Sequence, residues 1–361
     1  MNTTPLFSAT DNPAADAVER HIRAAATRVL ADAQLPGIIV AVQRAQTAPT
    51  YLCLGSDAAG QPLRPDSLFP VASITKLATA LAVLRLVDTG AVALDDPLAR
   101  YLPEAAAAQP GVTLHRLLSH TAGLPIDVPP SSAVYAPGLD WPAVAAACLH
   151  VPLRRAPGLR LQYSNVGYGL LALLVERQTS LVFSAALHAL VLAPLGIEGY
   201  LGVEPPRPPA VLADVQSSHA GTELEPFNSP FWRSLALPWA CLLTTAGGAL
   251  RLLGAFAPRP EGFLRPETAA AATHNQTGDL GGGPWGLGPE VRGHKAPHWT
   301  PAAASPDSFG HLGASGCLAC ADPAGEVAWT IFGSRTNAGG WLLTAGPAIG
   351  AAILAGAPES R

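Results

Sequence analysis

The chain is 361 residues long, 49% hydrophobic and only 13% charged, with a formal charge of −4. That length and apolar content suffice for one large buried core or two ordinary ones, which excludes a small stapled module. Mild acidity without any cationic stripe excludes nucleic acid as the main partner.

The opening residues MNTTPLFSATDNPAADAVERH contain no basic segment followed by an apolar one, so they do not read as a secretory signal, and a cytoplasmic location is expected. Asp16 to Gln34 carry apolar side chains at helical spacing and stop before Pro36 and Gly37, which predicts a helix. Gly37 to Arg44 and Ala48 to Gly55 are β-rich runs that predict a hairpin. From Asp66 to about Arg251, long Ala/Leu runs separated by Pro-rich loops predict a mostly helical block, within which Phe69 to Gly90 reads as one apolar helix. Loops 125–138 and 203–231 are the expected covers of a cleft, with Tyr135, Phe231 and Trp232 as candidate acyl-group contacts. The apolar tract from Leu235 to Ala257 is interrupted by Thr244, Thr245, two glycines and Arg251, and the last Ala-rich tract is too short to span a bilayer. A soluble chain with no membrane partner is therefore expected.

Strand signals return at Gly286 to Arg292, Phe309 to Ala321 and Gly325 to Arg335, the last two joined by a DPAG turn, and Leu342 to Ala357 predicts a closing helix. Strands near both termini with helices between them predict an α/β fold: an antiparallel sheet flanked by N- and C-terminal helices, with a large, mostly helical insert. The expected division is 1–65 and 252–361 for the sheet domain and 66–251 for the insert, with a cleft between them. Five cysteines, Cys53, Cys148, Cys241, Cys317 and Cys320, form an odd, widely spaced set, which suits reduced, buried thiols rather than a disulfide framework.

The chain has only two lysines against twenty arginines, so each lysine needs a local reason. Ser73 and Lys76 are three apart and share one helix face. Phe69, Val71, Ile74 and Leu77 around them supply desolvation, which lowers an amine pKa and lets it accept a serine proton. The plainer alternative is a lysine reaching solvent beside a capping serine. Tyr163-Ser164-Asn165 stands directly before another apolar helix. The Tyr163 phenol is placed to relay the nucleophile's proton if Lys76 is near, and the Asn165 amide to hold Lys76 or a substrate carbonyl. Asn165 as a helix cap and Tyr163 as a core ring remain the alternative. The segment Gly310-His311-Leu312-Gly313-Ala314-Ser315-Gly316 is a Gly-rich strand able to approach a ligand closely. One of its N–H groups, paired with that of Ser73, would make a two-donor oxyanion hole.

Ser73-Ile74-Thr75-Lys76, then Tyr163-Ser164-Asn165, then His311-Leu312-Gly313, in that order, resemble the serine β-lactamase and penicillin-binding protein superfamily, in particular its class C β-lactamase-like branch that includes family VIII carboxylesterases. LHRLLSHTAGLP (Leu114 to Pro125), APLGI (Ala193 to Ile197) and PWACLLTTAGGALRLL (Pro238 to Leu253) add to the likeness, which runs from about Pro36 to Arg335. The resemblance implies Ser73 as acylated nucleophile, Lys76 and Tyr163 as its proton-handling pair, Asn165 as a substrate contact and the Ala314 N–H as second oxyanion donor. His311-Leu312-Gly313 departs from the usual Lys-Thr-Gly. Loss of the fixed cation weakens recognition of a substrate carboxylate and favours neutral esters, while a partly charged His311 near pH 6.5 leaves some lactam turnover open.

Other constellations weigh less. His120 suits a turn-satisfying role better than a Ser-His-Asp triad, and the nearest approach to G-x-S-x-G, GASGC at Gly313 to Cys317, fails at its last residue. Cys317 and Cys320 fall in one strand on opposite faces, unsuited to redox or zinc chemistry. His294 and His298 lack further ligands for a metal. The expected function is a serine hydrolase acting through an acyl-enzyme on small carboxylic esters, without metal or organic cofactor. The alternatives are a β-lactamase or D-amino-acid peptidase, and a non-hydrolytic sensor that is acylated once. The partner is a small-molecule ester or lactam; the sequence gives no oligomeric state.

Overall fold

In the computed structural model, residues 13–355 are described, apart from Gln46. Helix α1 (Pro13–Asp32) leads into the hairpin β1 (Gly37–Arg44) and β2 (Thr50–Gly55), close to the predicted bounds. A short strand β3 (Phe69–Pro70) and a 3₁₀ turn (Ala72–Ile74) precede α2 (Thr75–Asp88). Phe69 to Gly90 is thus not one helix. Ala72, at φ 45°, stands in the left-handed region, and Val71 N–H is held by the carbonyl of Leu242 (3.0 Å), so the chain turns sharply before the helix can begin.

There follow α3 (Leu114–Leu118), α4 (Trp141–Leu149), α5 (Asn165–Thr179), α6 (Phe183–Leu187), β4 (Gly199–Tyr200), α7 (Pro230–Ser234), β5 (Leu243–Thr244), α8 (Ala246–Ala255) and α9 (Pro266–Thr273). The chain closes with β6 (Glu290–Val291), β7 (Phe309–Gly313), β8 (Cys317–Asp322), β9 (Val327–Gly333) and α10 (Leu342–Leu354). The predicted closing helix ends earlier, and its last expected residues, Gly356 and Ala357, lie outside the described residues. The stretch read as one strand over Phe309 to Ala321 is a hairpin, its turn at Ala314 to Gly316. The run Gly286 to Arg292 keeps only two residues of pairing.

Six antiparallel strands form one sheet in the order β2-β1-β9-β8-β7-β6, and β3, β5 and β4 form a second, small one. The large sheet is covered on both faces. Alternate residues point to opposite sides of a strand: Ile38, Val40, Val42, Leu318, Cys320, Trp329 and Ile331 pack against α1 and α10. Ile39, Ala41, Cys317, Ala319 and Phe332 join the larger core under the helices. Two-sided burial explains why β1 reads GIIVAV without polar alternation. Cys317 and Cys320 do lie on opposite faces, and all five cysteines are free. In the DPAG turn, Asp322 Oδ1 accepts from the N–H of Ala324 at 3.1 Å.

The expected boundary at residue 251 falls inside α8, whose buried face packs on β1, β8 and β9. No single helix among the described residues is long and apolar enough to cross a membrane.

Candidate active site

Three separate stretches of chain meet at the Ser73 turn. Between Val71 and Leu84 only Ser73 is partly exposed. It is the second residue of the 3₁₀ turn, whose first internal bond runs from Ile74 N–H to Val71 O, so the Ser73 N–H has no partner within the turn. One turn on, Lys76 is fully buried. Its Nζ lies 3.3 Å from Ser73 Oγ and donates to the carbonyl of Trp239 at 3.1 Å. Burial holds its pKa well below the ordinary lysine value, with the Asp127 carboxylate opposing the shift only in part. Lys76 does not reach solvent. The 238–244 segment fixes this turn from behind: Leu242 N–H donates to Thr75 Oγ1 (3.1 Å), and β5 pairs with β3.

Tyr163 comes from the loop before α5. Lys76 Nζ sits 4.8 Å from the centroid of its ring. Burial raises the phenol's pKa above its ordinary value, and the neighbouring Ser73 hydroxyl lowers it by less. Lys76 and Tyr163 hold a shared proton either as amine and phenol or as ammonium and phenolate, and desolvation of both favours the uncharged pair. Ser164, not Asn165, caps α5: its Oγ accepts from Gly167 N–H at 3.1 Å and donates to Pro125 O at 2.6 Å. Asn165 is left free to turn its amide to the cleft, where Nδ2 donates to Asp127 Oδ1 at 2.6 Å. Its Oδ1 is buried and without a hydrogen-bond partner. Asn165 does not hold Lys76, a role that falls to the Trp239 carbonyl.

The third stretch is the end of β7. A Cβ on Gly313 would stand 2.4 Å from Val71 O, so only glycine lets this strand lie against the Ser73 turn. Ala314 follows it into the cleft, exposed, with its carbonyl held by Asn337 N–H (2.8 Å). His311, by contrast, is turned inward and is 4% exposed. The Leu312 carbonyl, 2.8 Å from Nδ1, can only accept, so Nδ1 carries the proton and Nε2 faces Tyr163 Oη at 3.5 Å. Burial, aided by the nearby Lys76, lowers the His311 pKa to about 4. The expected partial charge near pH 6.5 is therefore absent, and the ring backs the phenol instead of meeting a substrate carboxylate.

His120 also lies behind Tyr163, with ring centroids 4.4 Å apart, and its Nδ1 accepts from Ser164 N–H at 3.1 Å. It satisfies the turn before α5. Trp285, absent from the sequence-based candidates, packs edge-on against Tyr163, His120 and His311. His298 sits beside Glu290, which Lys295 also pairs, and no group of residues suited to a metal occurs among the described residues.

In front of Ser73 opens a cavity of about 380 Å³, walled by Tyr135, Leu139, Phe227, Trp232, Leu237 and Trp239, with Asn165, Asp127 and Ala314 at the polar end. Of the three aromatic candidates, Tyr135 and Trp232 line it, while Phe231 packs edge-on behind Tyr135 at 5.1 Å. The two predicted covering loops are joined where Tyr135 Oη donates to Leu224 O (2.7 Å). Asp127, Leu237 and Trp239 were not singled out by sequence. Trp239 stands in the Pro238 to Leu253 segment that carries part of the family likeness and Leu237 directly precedes it, whereas nothing marks Asp127 among ordinary loop acids.

Comparison with family profiles matches the beta-lactamase family over residues 18–344. The chain belongs to the β-lactamase family. Within it, the chain is 34% identical over 267 residues to the esterase EstB of Burkholderia gladioli, covering 64% of this chain and 68% of EstB. Among solved structures it superposes on EstCE1, a hydrolase with promiscuous acyltransferase activity, with a TM-score of 0.77 at 18% identity over 95% of this chain and all of that one. A penicillin-binding protein homologue from Caulobacter crescentus gives a TM-score of 0.73 at 25% identity, covering 94% and 97%. These neighbours fit the class C-like, family VIII esterase-like branch and support serine hydrolase chemistry.

Proposed function

We propose that the protein is a serine carboxylesterase that works through an acyl-enzyme on Ser73. The observation that carries this reading is a fully buried, desolvated amine 3.3 Å from a hydroxyl at the floor of an apolar cavity. Lys76, with one N–H on the Trp239 carbonyl, keeps its lone pair for the Ser73 proton. As Oγ attacks the ester carbonyl, the developing oxyanion is received by the N–H groups of Ser73 and Ala314. The carbonyl carbon then loses the alkoxide, which takes a proton through Tyr163, itself reprotonated from Lys76. Water repeats the attack on the acyl-enzyme, giving up its proton by the same route and releasing the acid and free Ser73. Asn165 and Gly313 shape the substrate side, and His311 accepts from the Tyr163 phenol.

Neutral acyl groups are favoured because the cavity wall carries no lysine, arginine or histidine, so a carboxylate finds no counter-ion there. Turnover of p-nitrophenyl butyrate, lost by at least a thousandfold in Ser73→Ala with the thermal melt unchanged, is the expected result. A single burst without turnover would replace the esterase with an acylated sensor, and a higher kcat/KM for nitrocefin than for the ester would replace it with a β-lactamase.

A further inference from the structure

Lys76 accounts for one of the two lysines in the chain. The other, Lys295, is not among the residues that wall the catalytic cavity, yet its side chain is only 20% exposed. Its Nζ donates to Glu290 Oε1 at 2.5 Å, and the other carboxylate oxygen accepts from Trp299 Nε1 at 3.0 Å. Burial would raise the Glu290 pKa, but the facing His298, Lys295 and Trp299 bring it down to about 2, so the pair is ionic. A mostly buried ion pair fixes both side chains, because parting them would leave a charge with neither partner nor water.

Two routes lead from this fixed lysine to Tyr163. Its Nζ lies 5.8 Å from the centroid of the Trp285 indole, within reach of a cation–π contact. The indole Nε1 donates to Gly288 O at 3.1 Å, and the ring packs edge-on against Tyr163 at 5.7 Å and His311 at 5.6 Å. The second route is through backbone. A Cβ on Gly283 would stand 2.0 Å from Lys295 Cε, so the glycine run 281–283 lies directly on the lysine stem. The same run meets the Tyr163 loop: a Cβ on Gly282 would stand 3.0 Å from Leu161 Cβ, and Leu161 N–H donates to Gly281 O at 3.2 Å. Tyr163 itself belongs to no helix or strand. Its hydroxyl lies 3.5 Å from His311 Nε2, the long limit of a hydrogen bond, so the ring is placed largely by what packs against it. A general acid acts only when its proton is within reach of the leaving oxygen, and whatever holds this ring therefore bears on that step.

We infer that Lys295 is a positioning residue for Tyr163: anchored on Glu290, it supports the Trp285 indole with its ammonium and the glycine run with its stem, and so keeps the phenol where it protonates the leaving alkoxide. This rests on the hydrolase reading above and deepens it. In the step concerned, the carbon–oxygen bond to the alkoxide breaks. Its electron pair stays on that oxygen, which takes the Tyr163 proton.

Ethoxide leaves only with a proton, whereas nitrophenolate departs as a stable anion, so a misplaced acid harms ethyl butyrate more than p-nitrophenyl butyrate. Both esters form the same acyl-enzyme, and kcat/KM for each reports its formation. Lys295→Met combined with Glu290→Gln removes both charges together and leaves no buried charge alone. In this double variant, kcat/KM for ethyl butyrate is expected to fall about tenfold further than for p-nitrophenyl butyrate, a part of the roughly hundredfold or more that a positioned general acid supplies. Gly283→Ala, which displaces the lysine stem and keeps both charges, is expected to move the ratio in the same direction, and it decides alone if the double variant does not fold. Equal losses on the two esters in a folded variant, a ratio that does not move, or a wild type that turns over only the nitrophenyl ester overturns the inference and leaves the esterase reading standing. If the wild type turns over neither ester, both fall.

Discussion

A lysine removed wholly from water, with a carbonyl and a serine hydroxyl as its hydrogen-bond partners and no carboxylate in contact, is held as an amine, because the ammonium would forfeit its hydration without a paired counter-charge. The structural cost of Lys76 is therefore small, while its chemical role depends on the lone pair. Lys76→Met keeps the volume and leaves only the Trp239 carbonyl unpaired, so stability is expected to stay within about 2 kcal/mol. Ester turnover should fall by three orders of magnitude or more. A melt that collapses along with activity would show that Lys76 is a structural strut. His311 offers a test by pH. Its pKa is about 4 when folded against about 6.5 in an unfolded chain, so between those values only the unfolded state takes up the proton. Stability is lost as pH falls from 6.5 toward 4 and levels off below it. From pH 7.5 to 5, this amounts to about 2 kcal/mol. Urea midpoints at the two pH values should converge more closely in His311→Gln than in the wild type. At this scale the sequence pointed to groups that meet at the Ser73 turn, since Ser73, Lys76, Tyr163 and Asn165 are singled out by residue type and spacing. It did not reveal which way His311 faces, because that is set by the Leu312 carbonyl and the rings of Trp285 and Tyr163.

Strand β7 ends against the Ser73 turn so closely that one methyl group cannot fit: a Gly313 side chain would meet the Val71 carbonyl at 2.4 Å. Gly313→Ala is expected to push the β7 end outward, carrying the Ala314 N–H away from the oxyanion position. A hundredfold or greater loss of kcat, the scale of one lost oxyanion donor, should accompany about 1–3 kcal/mol of destabilisation. Normal kcat in that variant would exclude Ala314 as a donor. Long elements were legible in the sequence for a physical reason. Helix α1 carries an amphipathic period, while α5 and β1 carry apolar runs long enough to mark an element, bounded by turn residues. The two-residue strands β3, β4 and β5 have no period to read, and their pairing is dictated by where residues 238–244 pack. The β7–β8 turn was hidden because its glycines and small residues look alike in an extended strand and in a tight corner.

The large sheet separates two cores, and the thiols are distributed across the molecule accordingly. Cys148, Cys241, Cys317 and Cys320 are buried and Cys53 is partly exposed, with burial raising every one of their pKa values. Ellman's reagent should therefore modify no more than one thiol per native chain, slowly, and five once the chain is unfolded. Dithiothreitol should leave the melting temperature unchanged. Two or more fast-reacting thiols in the native protein would contradict this packing. The sheet order also bears on how the molecule is made. Strand β9 (Val327–Gly333) lies between β1 and β8, so a nascent chain leaving the ribosome carries the β1–β2 hairpin with the backbone groups of one β1 edge unpaired until residues 327–333 have emerged. Synthesis halted before residue 327 would release a chain with an open β1 edge ready to pair with other chains.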